Sequence, residues 1–140
     1  MRREEVVDYR VEWPALFAAE AARIAGIFGG DLLALHHIGS TAILGLAAKP
    51  VIDILGEARD IPGVDLHNDA MLAAGFVAMG EYGLPGRRFF IKGGDERTCH
   101  VHIYQIRHED IERHLAFRDY LRSHTEVAHE YATLKRNLAA

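Results

Sequence analysis

The chain contains a single cysteine, Cys99, and no long run of apolar residues. One cysteine cannot form a disulfide within the chain, which excludes a disulfide-stabilised secreted scaffold. No apolar stretch reaches the roughly 18 residues that a transmembrane helix needs. The N-terminal segment carries charges without an apolar core, so it does not resemble a signal peptide. We therefore expect a cytoplasmic protein that makes no contact with a membrane.

Positive charge is also scarce, because 16 Lys and Arg residues face 20 Asp and Glu residues and give a formal net charge of -4. This balance predicts no broad basic surface, so we expect no binding to duplex nucleic acid, while a small cationic pocket remains compatible with it. The 140 residues are 49% hydrophobic and 26% charged, as in ordinary globular domains. The length favours a single domain over residues 1–140 with room for a sizeable core.

Hydrophobic spacing predicts a chain of alternating strands and helices. A first helix should begin at Trp13–Pro14 and end at Gly29–Gly30. A second helix is expected over residues 64–74, with Leu66, Met71 and Leu72 as buried candidates. These elements predict an α/β or α+β domain, in which a mixed sheet is covered by helices. The remaining expected elements are strands at 32–38, 51–55, 76–79, 87–92 and 99–106, a helical turn at 41–46, a connection at 56–62, and two helices from residue 108 onward.

A glycine-serine turn follows the first predicted strand in the stretch HHIGSTAILGLAAKPVIDIL, residues 36–55. Gly39, Ser40 and Thr41 would expose backbone N–H groups to an anion at a helix N-terminus. The same residue types are also the commonest helix N-caps, so the pattern has a purely structural interpretation. The chain lacks both the P-loop sequence and the dinucleotide-binding glycine pattern.

Asp53 lies in the apolar run that ends this stretch, where a carboxylate is costly without a partner or a metal ion. Strand alternation places Leu55 and Glu57 on the same face as Asp53. Two-metal phosphoryl transfer needs a second carboxylate, and the position next to Asp53 on that face is occupied by Leu55. The structural alternative is that Asp53 caps a turn or forms an ion pair with Lys49 or Arg88.

Two histidines, His100 and His102, should share one face of the last strand and could offer two nitrogen ligands to a metal ion. The alternative is a hydrogen-bonded polar face of a half-exposed sheet. We expect His37, which lies next to the glycine-serine turn, to face Asp53. A cluster of His37, Asp53, His100 and His102 would suit zinc or another first-row metal better than magnesium.

Basic residues on a later strand and on a C-terminal helix complete the candidates. Arg88 and Lys92 should share one strand face, where they could contact phosphate or carboxylate. The alternative is a solvated edge strand whose charges protect it from pairing with another strand. Arg118, Asp119 and Arg122 have the spacing of a solvated, salt-bridged helix face. Cys99 has no activating neighbour in the sequence, so we expect a core thiol.

Four segments, in order along nearly the whole chain, resemble the GrpB family, also called UPF0157: HIGSTAILGLAAKPVIDIL, GRRFFIKG, RTCHVHIY and LAFRDYLRSHTEVAHEYATLKRNLA. The resemblance implies a nucleotidyltransferase-like fold of the DNA polymerase β type, a small mixed sheet with helices packed mainly on one side. That superfamily pairs Gly-Ser with a later Asp-x-Asp. Here Gly39–Ser40 and Asp53 match, while Leu55 stands at the second acid.

The leading hypothesis is therefore a protein that binds a nucleotide or another phosphate compound, with nucleotidyl transfer as a candidate activity. In the wider superfamily, Ser40 would touch the phosphates and Asp53 would hold a divalent ion, here Mg²⁺, Mn²⁺ or Zn²⁺. The expected phosphate-binding residues are Gly39, Ser40, Thr41, Lys49 and Arg88. The expected catalytic residue is Asp53, and the expected metal ligands are Asp53, His37, His100 and His102.

Two other functions are compatible with the residues. Leu55 favours a non-catalytic module that binds a ligand or a partner on a degenerate site. His100 and His102 suggest a metal-dependent hydrolase or a cupin, although a cupin needs a glutamate four or five residues after the second histidine, where Ile106 and Arg107 stand. The resemblance also implies that family members continue past the position of Ala140.

Overall fold

The sheet and helices of the protein are seen in a computed structural model, which describes residues 5–139. Helix α1 spans Trp13–Phe28 and is followed by strand β1, Leu32–Ile38. A 3₁₀ turn at Ser40–Ala42 leads to β2, Ile52–Ala58. The other elements are α2 (Ile61–Asp65), α3 (Asn68–Ala73), β3 (Phe76–Ala78), β4 (Arg87–Lys92), β5 (Cys99–Gln105), α4 (Glu109–Ser123) and α5 (Thr125–Ala139).

The five strands form one mixed sheet in the order β1-β2-β5-β4-β3. Strands β2 and β5 run parallel, and the other neighbouring pairs run antiparallel. This arrangement confirms the predicted mixed sheet with flanking helices. It also brings the C-terminal strand β5 to the centre of the sheet, next to the strand that carries Asp53.

One face of the sheet packs against α1, α2 and α3, and we call it the α1 face. Helix α1 begins with Pro14 in its first turn, where a missing N–H costs no hydrogen bond. Its residues Ile24 and Phe28 are buried against β-strand residues that include Ile54 and Phe90. Burying each such side chain contributes roughly 1.5–3 kcal/mol, so this face supplies most of the core.

Cys99 belongs to this core, as the sequence predicted, with only 1% of its surface exposed. Burial, followed by the nearby charges of Glu20 and Asp53, raises the pKa of the thiol to about 12. A thiol that stays protonated is a poor nucleophile.

The opposite face is covered only in part, by α4. Ile111 and Leu115 of α4 pack against Leu55 and Tyr104 of the central strands. Helix α5 then packs Ala128 and Ala132 beside Leu121 and the residues that follow the 3₁₀ turn. No helix within residues 5–139 is long and apolar enough to cross a bilayer.

Two local predictions need correction. Strand β2 continues through Gly56–Ala58, where a connection was expected. Gly56 has no side chain, so Ile103 of the neighbouring strand packs closely on its backbone; a Cβ at Gly56 would lie 3.1 Å from Cγ1 of Ile103. The helix expected over 64–74 is two short helices, with Leu66 80% and Leu72 59% exposed. Met71, the third buried candidate, is fully buried.

Candidate functional site

The sheet register brings Asp53 and two histidines together on the face opposite α1, which we call the Asp53 face. Asp53 of β2 is paired with His100 of β5, and Leu55 is paired with His102. Paired residues on neighbouring strands share a face, so Asp53, His100 and His102 point to the same side. The predicted grouping of these three side chains is therefore confirmed.

The Asp53 carboxylate interacts with both imidazoles. Its Oδ1 lies 3.2 Å from Nε2 of His102 and 3.6 Å from Nδ1 of His100. Burial raises the pKa of this carboxyl, but hydrogen bonding and electrostatic attraction to His100 and His102 outweigh burial, so the pKa falls below its usual range. Asp53 is thus a carboxylate at neutral pH, with 30% of its side chain exposed.

Arg87 fixes the orientation of His102 from the other side. Its Nη1 lies 3.3 Å from Nδ1 of His102. A guanidinium only donates, so Nδ1 accepts, and Nε2 carries the proton that His102 donates to Asp53. Arg87 is only 7% exposed, and both ring nitrogens of His102 are occupied.

The Gly39–Ala42 turn lies directly against the Asp53 carboxylate. Gly39 has φ of 74°, and a Cβ at this position would lie 2.8 Å from Oδ2 of Asp53. Only glycine meets both conditions, because any side chain would strain the backbone and displace the carboxylate. Ser40 is half-buried, while Thr41 is buried and its Oγ1 lies 2.9 Å from Nε2 of His37. The Thr41 hydroxyl is therefore hydrogen-bonded to a buried side chain of the protein itself.

His37 lies on the α1 face, so the prediction that it faces Asp53 is wrong. The antiparallel register pairs His37 with Ile54 and Ile38 with Asp53. The imidazole stacks on Phe17 of α1, with ring centroids 4.8 Å apart.

The environment of His37 also disfavours its charged form. Burial, and then the positive charges of Arg122 and Arg118, outweigh the opposing effect of Asp53 and lower the pKa of His37 to about 4. The histidine of β1 that does share the Asp53 face is His36, whose Nε2 lies 2.6 Å from Oε2 of Glu57.

Arg88 also points away from Asp53, which corrects its predicted role as a phosphate ligand at this site. Its Nε donates to Oδ1 of Asp65 at 2.7 Å. Lys92 shares the α1 face with Arg88, as expected, but its Nζ lies 2.8 Å from Oε2 of Glu20. The arginine of β4 that reaches the Asp53 face is Arg87, since strand alternation separates the two neighbours.

Lys49 lies at one margin of the Asp53 face. It lines a pocket of about 370 Å³ together with His100 and Arg97. A phosphate bound near His100 would therefore lie close to Lys49. The phosphate-binding role of Lys49 stays a prediction.

Two arginines of α4 bond to backbone carbonyls at the glycine-serine turn and at the end of β1 before it, although the sequence predicted that they lie on a solvated helix face. Arg118 Nη1 donates to the His37 carbonyl at 3.3 Å, and Arg122 Nε donates to the Ala42 carbonyl at 3.0 Å. Burial, and then the charge of Arg118, lower the pKa of Arg122. No local signal in the sequence could have revealed this contact, because about 80 residues separate the partners.

The residues do not fit a resident metal ion. Across residues 5–139, no group of three or more His, Cys, Asp or Glu side chains is arranged to hold one. His37 lies on the other face, Leu55 is apolar, and both nitrogens of His102 already have partners. The zinc site expected from His37, Asp53, His100 and His102 is therefore not assembled.

Comparison with known sequences gives a consistent result. A family model described as "GrpB protein" matches residues 3–140. UPF0157 protein YqkA of Bacillus subtilis (strain 168) is 49% identical over 139 residues, which cover 99% of this chain and 40% of that protein. Glutamate-rich protein GrpB of Alkalihalophilus pseudofirmus is 32% identical, with 96% of this chain and 80% of that protein covered.

UPF0157 protein PA4798 of Pseudomonas aeruginosa is 40% identical, with 98% of this chain and 57% of that protein covered. This chain thus spans only about half the length of YqkA and PA4798.

Two solved structures are similar in fold. The crystal structure of conserved protein GrpB from Enterococcus faecalis has a TM-score of 0.94 and 45% identity, and the match covers 96% of this chain and 82% of that one. The Cid1 poly(U) polymerase has a TM-score of 0.53 and 14% identity, over 84% of this chain and 37% of that one. At such low identity the second match shows the fold alone, which is nucleotidyltransferase-like.

Proposed function

The chain belongs to the GrpB family, and from that premise we propose that it binds a nucleotide or a related phosphate compound where the Gly39–Ala42 turn meets Asp53. One observation carries the proposal. The backbone of Gly39 is packed so closely on the Asp53 carboxylate that no side chain fits between them. This close packing fixes the position of the carboxylate relative to the turn. Binding of a ligand of defined geometry requires side chains held in this way.

Positive charge near the turn supports an anionic ligand. Arg122 donates to the Ala42 carbonyl of the turn, and Arg118 donates to the His37 carbonyl in β1, just before the turn. Ser40 opens the 3₁₀ turn and contributes a hydroxyl and a backbone N–H. Asp53 would repel a bare phosphate, so we propose that the ligand enters with its own Mg²⁺, which is commonly bound by one or two carboxylates plus phosphate oxygens.

The same site gives little support for two-metal nucleotidyl transfer. Asp53 is the only carboxylate of the expected pair, because the second position is Leu55. This leucine is fully buried against α4. The neighbouring strand carries His100 and His102 beside it. Losing one carboxylate from a two-metal site removes a large part of the charge stabilisation of the transition state. We therefore propose ligand binding as the function, with catalysis as the weaker alternative.

Calorimetric titration with ATP, GTP, CTP and UTP tests this proposal, in Mg²⁺, in Mn²⁺ and in excess EDTA. The informative variants are Asp53→Asn and Ser40→Ala. Asp69→Asn is the matched control, because Asp69 is an exposed carboxylate on α3. We expect Asp53→Asn to weaken binding at least about tenfold, the scale of a charge-assisted contact, and Asp69→Asn to leave it unchanged.

Two outcomes would overturn the proposal. One is the absence of binding by the wild-type protein to all four nucleotides. The other is equal affinity of the wild-type protein and Asp53→Asn. Incubation with labelled nucleoside triphosphates gives the separate test of catalysis, since a product that requires Asp53 would favour the transferase over the binding module.

A further inference from the structure

The loop between β3 and β4 presents an exposed tyrosine in a strained conformation. Tyr82 has φ of 49°, in the left-handed region, and 52% of its surface is exposed. A residue other than glycine in such a region costs on the order of 1–3 kcal/mol and persists only where its surroundings enforce it.

Arg87 enforces the conformation of this loop. Its Nε donates to the Glu81 carbonyl at 3.1 Å, and its Nη2 donates to the Tyr82 carbonyl at 2.8 Å. The Glu81 carboxylate accepts from the backbone N–H of Gly86 at 2.8 Å, which closes the loop. A buried guanidinium is thus bonded both to this loop and to His102, the partner of Asp53.

Aromatic contacts lead from Tyr82 toward Asp53. The Tyr82 ring stacks on Phe89 at 5.2 Å, with 26° between the planes. Phe89 in turn contacts the rings of His102 at 5.0 Å and His100 at 5.3 Å. Two ring contacts therefore connect Tyr82 to the histidines beside Asp53, so the tyrosine lies on the same side of the sheet as the carboxylate.

The Tyr82 ring covers one side of Phe89, and Arg87 contacts the same phenylalanine. Phe89 is 5% exposed and also contacts Arg87, whose Cζ lies 4.6 Å from its ring centroid. A glycine or asparagine would adopt the left-handed conformation of position 82 at lower cost. Contact with Phe89 and the hydrogen bond from Arg87 hold the tyrosine in this conformation, and 52% of its surface stays exposed and available to a ligand.

We propose that Tyr82 provides the stacking surface for the base of a nucleotide whose phosphates lie at Asp53 and the Gly39–Ala42 turn. This inference rests on the proposed function and specifies its ligand as a compound with a planar ring. Stacking tolerates every base, because each has a π-face, so Tyr82 predicts little discrimination among the four nucleotides.

The test compares two ligands, ATP and inorganic tripolyphosphate, which share the phosphate chain and differ in the base. Calorimetry is performed on the wild-type protein, Tyr82→Phe, Tyr82→Ala and Tyr82→Gly. Tyr120→Ala is the matched control, because Tyr120 is a similarly exposed tyrosine on α4, at 48%. Replacing a stacking aromatic by alanine costs roughly 5- to 100-fold in affinity.

We expect Tyr82→Ala and Tyr82→Gly to lose that factor for ATP, and Tyr82→Phe and Tyr120→Ala to bind as the wild type does. All variants should bind tripolyphosphate equally. Tyr82→Gly also relieves the backbone strain, so its thermal unfolding midpoint should not fall while its affinity for ATP does. A stable variant that loses affinity separates a binding role from a structural one.

Each contrary result identifies the claim that fails. Unchanged ATP affinity in Tyr82→Gly, with wild-type binding of both ligands intact, overturns the role of Tyr82 and leaves the phosphate site standing. Equal losses for ATP and tripolyphosphate overturn it too, because the loop would then act through the phosphate site. Failure of the wild type to bind either ligand overturns the proposed function and this inference with it.

Discussion

The two faces of the sheet are built from the same strands and differ in what their side chains do. On the α1 face, Ile54, Phe90 and Val101 are at most 1% exposed and pack against helices. On the Asp53 face, the alternate positions carry Asp53 and His102, which interact by hydrogen bonding and charge. The difference indicates that the α1 face supplies most of the apolar core, and it supports our proposal that the polar part of the Asp53 face binds a ligand.

The largest expected effect comes from adjacent phenylalanines on the two faces. Phe90→Ala removes a side chain that is 1% exposed in the α1-face core, and we expect a loss of about 3–5 kcal/mol in the free energy of unfolding. Phe89→Ala should cost less, about 3 kcal/mol at the low end of that range, because Phe89 is 5% exposed and lies at the margin of the sheet under the Tyr82 loop. It should also weaken nucleotide binding, because Tyr82 loses the ring on which it stacks. Urea unfolding measures both values, and equal losses would contradict the division between the faces.

Two glycines with positive φ test the corner of the Asp53 face. Gly39 and Gly45 have φ of 74° and 78°, and the ψ of −175° at Gly39 places it in a region essentially restricted to glycine, so alanine strains the backbone strongly there. A Cβ at Gly39 meets Asp53, whereas a Cβ at Gly45 meets nothing within 4 Å. We expect Gly45→Ala to cost about 1 kcal/mol and Gly39→Ala about 2–3 kcal/mol.

Only Gly39→Ala should also weaken nucleotide binding. The same calorimetric titration provides the measurement, and similar behaviour of the two variants would show that the contact with Asp53 has no special importance.

The pH dependence of stability tests His37, the histidine held on the α1 face. Its pKa of about 4 lies below its ordinary value of 6.5, so the unfolded chain binds more protons between these pH values. Stability from this group is fully present above pH 6.5 and is lost as the pH falls toward 4. The expected loss is on the order of 2–3 kcal/mol.

Urea unfolding at several pH values measures this dependence. His37→Gln removes the titrating group, so its stability should change less with pH in the same window. A parallel pH dependence in both proteins would show that His37 is not the group responsible.

The smallest expected effect comes from Arg88, the neighbour of Arg87 that points to the α1 face. Its guanidinium bonds to Asp65, whose side chain is 44% exposed, so Arg88→Gln should cost less than about 1 kcal/mol and leave nucleotide binding unchanged. Arg87→Gln should lower nucleotide affinity, because it releases both His102 and the Tyr82 loop. Loss of nucleotide binding in Arg88→Gln, with binding unchanged in Arg87→Gln, would place the ligand on the α1 face and contradict the proposal.

Strand alternation was enough to predict part of the site from the sequence. His100 and His102 share a face because they are two residues apart on β5, and Asp53 joins them through the parallel pairing with β2. Alternation within one strand does not tell which residues of the neighbouring strand lie on the same face of the sheet. That depends on register, and a shift of one residue exchanges the faces.

Register is the reason for the wrong predictions on His37 and Arg88. The antiparallel pairing of Ile38 with Asp53 turns His37 to α1. The pairing of Phe89 with His102 likewise turns Arg88 away and brings Arg87 to the site. The contact between Arg122 and the turn could not be predicted from local sequence patterns, because it depends on how α4 packs across the sheet.

The most direct test of a ligand site on the Asp53 face is a titration of the ¹⁵N-labelled protein with Mg²⁺–ATP, followed by amide and histidine side-chain chemical shifts. We expect the largest shifts at Gly39, Ser40, His100, His102 and Tyr82. Amides of α1 and of Arg88 on the α1 face should stay in place. Shifts confined to the α1 face, or no shifts at saturating ATP, would contradict the proposed site.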